Sequence, residues 1–369
     1  MQEQIKKKAV SSEYEVLVRN TIKQLDGIMN VSLGQALKDC VKKAMGRSVR
    51  TKDPFFWHAG MLMLGLVSAL EYLDECEDSQ ILKDEIEASL EEHVDLWQKK
   101  TGGKVSYVDD TLAGFSLIKL YKRTGKEKYK NAIDAVELYI KGTKRDPEGA
   151  VIYNPGRGGN IFADGIGQVA MFMSICDKSP LLDGGEQLGL FYKFGMDKDS
   201  GLPYHGYELK KSEQAAGYLS DKKGILSWGR AFGWLIMGAC ANAAYGNPDE
   251  KNLAEFKKLC EAALKYQRKD GGWSWQLQAV DGHIDMSATG MIAYSLAVGA
   301  QKGVLQASSV KDALDKAAAC MSEHIKNGDV QDALSSCDDF AVHYQTYGSY
   351  PWGQGAVLAA LSMIKMANK

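Results

Sequence analysis

Residues 55–70 read FFWHAGMLMLGLVSAL, and shortly afterwards residues 82–97 read LKDEIEASLEEHVDLW. The first stretch is apolar nearly all round and rich in small residues, which predicts a helix buried on every side; the second is amphipathic and charged, which predicts a helix on the outside. This alternation decides the fold because it recurs along the chain. Further all-round apolar helices are expected near Asp110 (DTLAGFSLIKLY), Asp164 (DGIGQVAMFMSI), Trp228 (WGRAFGWLIMGACANAA), Asp285 (DMSATGMIAYSLAVGA) and Trp352 (WGQGAVLAALSMI). Charged partners follow several of them: EKYKNAIDAVELYIKG, EKNLAEFKKLCEAALKYQ and SVKDALDKAAACMSEHI.

The starts recur roughly every 55 to 65 residues, longer than a helical solenoid repeat but suited to a helix pair with a functional loop. Six inner helices with outer partners close into an all-α ring, an (α/α)6 barrel or six-hairpin toroid. An open solenoid is the alternative, but it calls for shorter loops and capping repeats. The whole chain, 1–369, is expected to be a single domain, with 1–53 as an N-terminal helical segment. Seven prolines and scarcely any alternating runs leave little room for strands. The segments 144–160 and 195–227 are long, Gly-rich and irregular, as loops that carry function tend to be.

Composition narrows the chemistry. With 45% hydrophobic and 25% charged residues the chain has ample material for a core. Forty-five Lys and Arg stand against 47 Asp and Glu, a net charge of -2 with no basic stripe, so nucleic acid is a poor partner. The Lys6-Lys7-Lys8 run reads as a solvated face. No apolar stretch approaches membrane-spanning length, and MQEQIKKKAV lacks the apolar core of a signal peptide, so no membrane partner and a cytoplasmic location are expected. Seven cysteines, an odd number without C-x-x-C spacing, read as reduced core thiols. The histidines show no ligand spacing, so neither a metal nor another cofactor is expected, and the oligomeric state is not legible.

In such a ring the inner helices aim one set of ends at a common mouth, so their first residues meet. Those residues are Trp57 and His58, Asp109 and Asp110, Asp164, Trp228 with Arg230, Asp285, and Trp352. The plain reading of each Asp is an N-cap. Convergence of several carboxylates with tryptophans favours a sugar site, because pyranose faces stack on rings and hydroxyls need hydrogen bonds. Arg230, between Trp228 and Trp234 on one apolar helix, is placed either to pack or to hold a carboxylate bidentately. His205, in the loop GLPYHGYE, either stabilises that loop or meets substrate.

At these residues the chain resembles the unsaturated rhamnogalacturonyl and glucuronyl hydrolases of glycoside hydrolase families 105 and 88. Four segments, spread from about Trp57 to Leu361, carry the resemblance: YVDDTLAGFSLIKLYKRTGKEKY; NIFADGIGQVAMFM; LPYHGYE with SWGRAFGW; and LKYQRKDGGWSWQLQ with the later DMSATGM and PWGQGAVLAALS. The third is the most specific, whereas a Q-x-x-D-G-G-W run also occurs in terpene cyclases. The resemblance implies that Asp164 is the catalytic acid and Asp109 a second active-site carboxylate, with Trp57, His58, His205, Trp228, Arg230, Trp234 and Trp352 on the substrate. Tyr207-Glu208 replace the family's usual Trp-Asp, and Met286 stands where Thr is common; both departures are expected at the substrate rim.

The implied reaction releases the terminal 4,5-unsaturated uronic acid from oligosaccharides left by polysaccharide lyases. Asp164 would protonate C4 of the vinyl ether while water adds at C5, and the resulting hemiketal would open. A second carboxylate close by would help Asp164 keep its proton. Arg230 would neutralise the substrate carboxylate while Trp228 and Trp234 stack. Rival readings are an ordinary glycosidase, an epimerase, which would want paired histidines, a terpene cyclase, whose Asp-x-Asp-Asp donor is missing, and a non-catalytic glycan-binding toroid.

Overall fold

The computed structural model describes residues 9–30, 53–156, 158–176, 183–212, 217–337, 340–341 and 343–367; much of the expected N-terminal segment, and Cys40, lie outside them. Six inner helices form a closed ring: α2 (Trp57–Leu73), α4 (Thr111–Thr124), α6 (Ala163–Ile175), α8 (Gly229–Tyr245), α10 (Met286–Gln301) and α12 (Pro351–Ala367). Each packs on its neighbours in that order, and α12 packs back on α2. Their all-round apolar pattern is matched by their burial, for every residue from Ala59 to Leu70 of α2 is buried.

The outer layer comprises α3 (Gln80–Thr101), α5 (Glu127–Gly142), α7 (Gly184–Phe194), α9 (Glu250–Lys265) and α11 (Ala307–Glu323). Each buries one stripe only. In α9 the buried residues are Phe256, Leu259, Cys260 and Ala263, the spacing of a single helix face. The sixth outer helix is α1 (Ser12–Gly27), which comes from the start of the chain and packs on α12, α2 and α3. The last hairpin is thus assembled from the two ends of the sequence. Gln354, fully buried in α12, staples it: its Nε2 donates to Thr21 Oγ1 at 3.0 Å and to Gly328 O at 2.9 Å, while its Oε1 accepts from Val330 N at 2.9 Å. Tyr14 OH and Ser362 Oγ, 2.7 Å apart, add a second buried bond.

Close packing between the first and last inner helices depends on glycine. A Cβ on Gly355 would fall 2.1 Å from Met61 O, and one on Gly65 would fall 2.7 Å from Gly355 O. No side chain fits there, so the two backbones touch.

The expectation of almost no β structure needs amendment at the mouth. Strand β1 (Ile161–Phe162) pairs antiparallel with β2 (Gly206–Lys211), which pairs with β3 (Tyr218–Lys223). Two short ribbons, β4 (Ile325–Lys326) with β5 (Asp329–Val330) and β6 (Ala333–Leu334) with β7 (Tyr347–Gly348), precede α12. β2 carries only a four-residue alternation, Tyr207 to Lys210, and the others none, so periodicity gave little notice of them. Among the described residues no helix is long and apolar enough to cross a membrane. Cys240, Cys260 and Cys320 are buried, and burial pushes the Cys240 thiol up to about 12.

Candidate active site

The β1–β2 register explains how two distant segments meet. Ile161 lies opposite Tyr207 and Phe162 opposite Gly206, while Ala163 N donates to His205 O at 2.9 Å. Asp164, in the first turn of α6, therefore faces His205, and Asp164 Oδ2 lies 3.3 Å from His205 Nε2. The pair is off the line a hydrogen bond requires, and Oδ2 is buried without an aligned donor. The Asp164 side chain keeps 16% exposure, and His205 keeps 1%.

Asp109 has the opposite surroundings. Tyr153 OH lies 2.7 and 2.6 Å from its two oxygens, and Gln168 Nε2 donates to Oδ1 at 3.4 Å. Gln168 stands one helical turn beyond Asp164, so α6 presents an acid and a hydrogen-bond donor on one face. Tyr153 comes from the first of the two irregular loops. Neither was singled out in sequence, although a Gln inside an otherwise apolar helix was a legible signal.

The neighbouring Asp110 is fully buried and holds the turn before α4, its Oδ2 accepting from Ser106 N at 3.0 Å and Tyr107 N at 3.1 Å. Burial first, then the charge of Asp53, pushes its pKa up to about 8, against the pull of those two N–H groups. Between about pH 4 and pH 8 the folded chain holds a proton that the unfolded chain has released. Stability therefore falls as pH rises through that window, by up to about 1.4 kcal/mol per unit, and Asp110→Asn is expected to flatten the slope. Urea midpoints at pH 5 and pH 8 check this; an unchanged slope in the variant would contradict it.

Asp285 is an N-cap in the ordinary sense: its Oδ1 accepts from Ser287 N, Ser287 Oγ and Leu334 N at 2.9, 2.6 and 3.0 Å. The Leu334 peptide is a hub, since Leu334 O also accepts from Trp352 Nε1 and Arg230 Nη1, both at 2.8 Å. Arg230 Nη2 donates to Ser335 O at 2.9 Å, and Nη1 also reaches Ser287 Oγ at 3.5 Å. Three of the five guanidinium N–H groups are thereby engaged within the protein.

Three of the expected substrate residues are held tightly within the protein. Arg230, 2% exposed, is clamped over the Trp228 ring at 4.8 Å and pins the loop after β6, so it is not free to grip a carboxylate with its whole fork. Trp228 and Trp234 are 0% and 1% exposed. Trp228 packs on His205 and His343 at 4.4 and 4.7 Å, and Trp234 meets Trp57 edge-on at 6.2 Å. Trp57 and His58 are part-exposed and backed by Trp352 at 4.8 and 5.0 Å, and Phe56 and Tyr107 add further exposed aromatic surface beside them. Tyr207 is buried beneath Phe191 and Phe194, and Met286 is buried too, so these two departures from the family pattern lie in the core, whereas Glu208 stays part-exposed beside Lys223.

A cavity of about 640 Å³ opens beside this wall, lined by Asp53, Phe56, His58, Tyr107, Pro351 and Trp352 among others. It does not include Asp109, Asp164 or His205, so it adjoins the carboxylates and does not contain them. The loop between β6 and β7 brings in residues that sequence reasoning passed over. Phe340 stacks on Phe162 at 4.0 Å, and His343 stands 5.2 Å from His205 between ring centres. Burial, with His205 and Arg230 alongside, pushes the pKa of His343 down to about 4.

Comparison with known proteins fits this geometry. The chain is 33% identical over 121 residues to a 24.9 kDa protein of the picA locus of Rhizobium radiobacter, covering 31% of this chain and 51% of that protein. It is 26% identical over 156 residues to an unsaturated 3S-rhamnoglycuronyl hydrolase of an Alteromonas species, covering 41% and 38%. The match thus spans about half or less of these curated relatives. A family 105 glycoside hydrolase from C. acetobutylicum superposes over 96% of this chain and 99% of its own with a TM-score of 0.68 at 20% identity, which shows a shared fold. The profile of Glycosyl Hydrolase Family 88 matches residues 32–367, nearly the whole ring apart from α1, and the chain belongs to that family.

Proposed function

We propose that the chain releases terminal 4,5-unsaturated uronic acids from lyase-generated oligosaccharides by hydrating the C4=C5 bond. The observation that carries this reading is the unequal solvation of the two carboxyls. Asp109 accepts the one Tyr153 O–H, shared between its two oxygens, and a longer bond from Gln168, the environment of a carboxylate. Asp164 is part-exposed, has no aligned donor on Oδ2 and sits beside His205, the environment of a group that passes a proton. In this scheme the Asp164 proton goes to C4, a water oxygen bonds to C5, and the proton that water sheds returns to the carboxylates. The hemiketal then opens and frees the neighbouring sugar. Because the carboxyls do not flank an anomeric carbon, their separation predicts no stereochemistry.

Trp57 and His58 form the part-exposed wall on which we place the sugar ring, and Arg230 contributes positive charge from below. Family membership supports the reading, as does the Alteromonas relative's named activity. A cytoplasmic setting, in which buried thiols stay reduced, agrees with it. The His205–His343 pair is one an epimerase could use, and the same assay separates the two. Wild-type enzyme is expected to bleach the near-ultraviolet absorbance of the enol ether in at least one of a panel of pectin, ulvan and glycosaminoglycan lyase products. No decline on any of them would overturn the proposal.

Tyr153→Phe tests the role of Asp109. Losing a hydrogen bond to a charged group is expected to lower kcat roughly 10- to 100-fold. Steady-state kinetics should show KM nearly unchanged; an unaltered kcat would remove Asp109 from the chemistry.

A further inference from the structure

Beside Asp164 lies a group of three side chains, of which the sugar chemistry uses His205 and leaves Cys337 and His343 unused. One ring nitrogen each of His205 and His343 and the Sγ of Cys337 lie within 4.8 Å of one another. His205 is fixed by the start of β2, and the other two come from the loop between β6 and β7, which Arg230 anchors at Leu334 and Ser335. His205 Nδ1 and His343 Nε2 are both buried without a hydrogen-bond partner. A buried polar atom left so costs about 1–3 kcal/mol, and two facing one thiol call for a common explanation.

We propose that His205, Cys337 and His343 form a binding site for a borderline-soft divalent cation of the zinc type, with a fourth position open to water. Two imidazoles and a thiolate are a ligand set that such an ion favours over magnesium or calcium. Asp164 Oδ2 lies 3.3 Å from His205 Nε2, off the line of a hydrogen bond; a small ring rotation on metal binding would align the two as the carboxylate–histidine–metal relay that orients such ligands, leaving Nδ1 for the ion. Arg230 opposes a cation here, but the thiolate and Asp164 set two negative charges against it. Cys337 and His343 are themselves part-exposed, so the ligand group lies near the surface of this loop. The spacing of these ligands along the chain carries no motif, which is why sequence alone suggested no metal.

Occupancy has a consequence for the reaction. An ion on Nδ1 fixes the His205 proton on Nε2, facing Asp164, and takes that carboxyl out of proton transfer. The site is therefore inhibitory. This extends the proposed function, but metal binding itself does not rest on it.

The test is titration of chelator-stripped protein with Co²⁺ and Zn²⁺. One equivalent of Co²⁺ is expected to give the visible bands of a four-coordinate ion and a near-ultraviolet thiolate charge-transfer band, both displaced by Zn²⁺. Cys337→Ser should lose the charge-transfer band and bind Zn²⁺ at least about tenfold more weakly. His343→Ala should weaken binding as much, with circular dichroism showing both variants folded. Absence of the spectrum in wild-type protein, or an identical spectrum in Cys337→Ser, overturns the site and leaves the sugar reading standing. If the site is confirmed, Zn²⁺ should silence turnover in wild type reversibly with chelator; Zn²⁺-insensitive turnover would overturn the inhibitory role alone.

Discussion

Asp164→Asn is expected to lower kcat on an unsaturated uronyl oligosaccharide by about 10³-fold, the range that loss of a positioned general acid produces. The amide keeps the size of the carboxyl and leaves the β1–β2 register intact, so His205 should stay in place. What it removes is an acidic proton deliverable to carbon. Affinity for substrate should change little, because Trp57 and His58, on which the sugar is placed, are untouched. The discriminating measurement pairs decay of the enol-ether absorbance with calorimetric binding of the same oligosaccharide. Binding retained with turnover lost places Asp164 in the chemical step; turnover above a tenth of wild type would show that another group delivers the proton. A glycan-binding toroid, in contrast, would show no turnover even before mutation.

The second large effect concerns the ring. Gly355→Val is expected to cost about 3–5 kcal/mol, at or beyond the upper end of overpacking penalties. The added Cβ would lie 2.1 Å from Met61 O, 2.3 Å from Met61 C and 2.7 Å from Leu62 N. These are backbone atoms of α2, a helix buried on nearly every side, so no rotamer change relieves the clash. Separating α12 from α2 would also part Trp352 from Trp57, so activity should fall with stability. Urea unfolding is the check, and a midpoint equivalent to less than about 1 kcal/mol of loss would mean the helices part more easily than their packing implies.

Much of this was legible in the chain. All-round apolarity marked the inner helices because nothing but complete enclosure accommodates such a surface in water. Stripe-forming helices were equally plain in α3, α5, α9 and α11. The ring's closing partner was not, although α1 buries Tyr14, Leu17, Val18, Thr21 and Leu25 on one face. Period reveals that a helix has a partner; it does not reveal that the partner lies at the other end of the chain.

The site divides in the same way. Asp109, Asp164 and His205 stood out as polar residues at helix starts or in a long loop; in the structure Asp164 lies 3.3 Å from His205, and Gln168, a turn beyond Asp164, reaches Asp109. Tyr153, Phe340 and His343 reach it through loop paths that no local pattern encodes. Trp228, Trp234 and Arg230 were noticed for their chemistry and assigned to the substrate; all three are buried, with Trp228 against His343 and Arg230 bonded to Leu334 and Ser335 of the β6–β7 segment. Whether an aromatic residue at a helix start is wall or foundation depends on which segment covers it.

The origin of the sixth hairpin constrains how the protein is made. On the ribosome, α1 emerges ahead of the inner helices and must wait for α12, which follows the other five, before Tyr14 meets Ser362 and Thr21 meets Gln354. Until then α2 presents to solvent the face that α12 will occupy, and the growing arc is an incomplete curve with a sticky end. Joining ends so far apart in sequence also carries a loop-closure entropy that only the final contacts offset. Nascent chains stalled before Pro351 should therefore be held by chaperones or aggregate, while those that complete α12 latch shut.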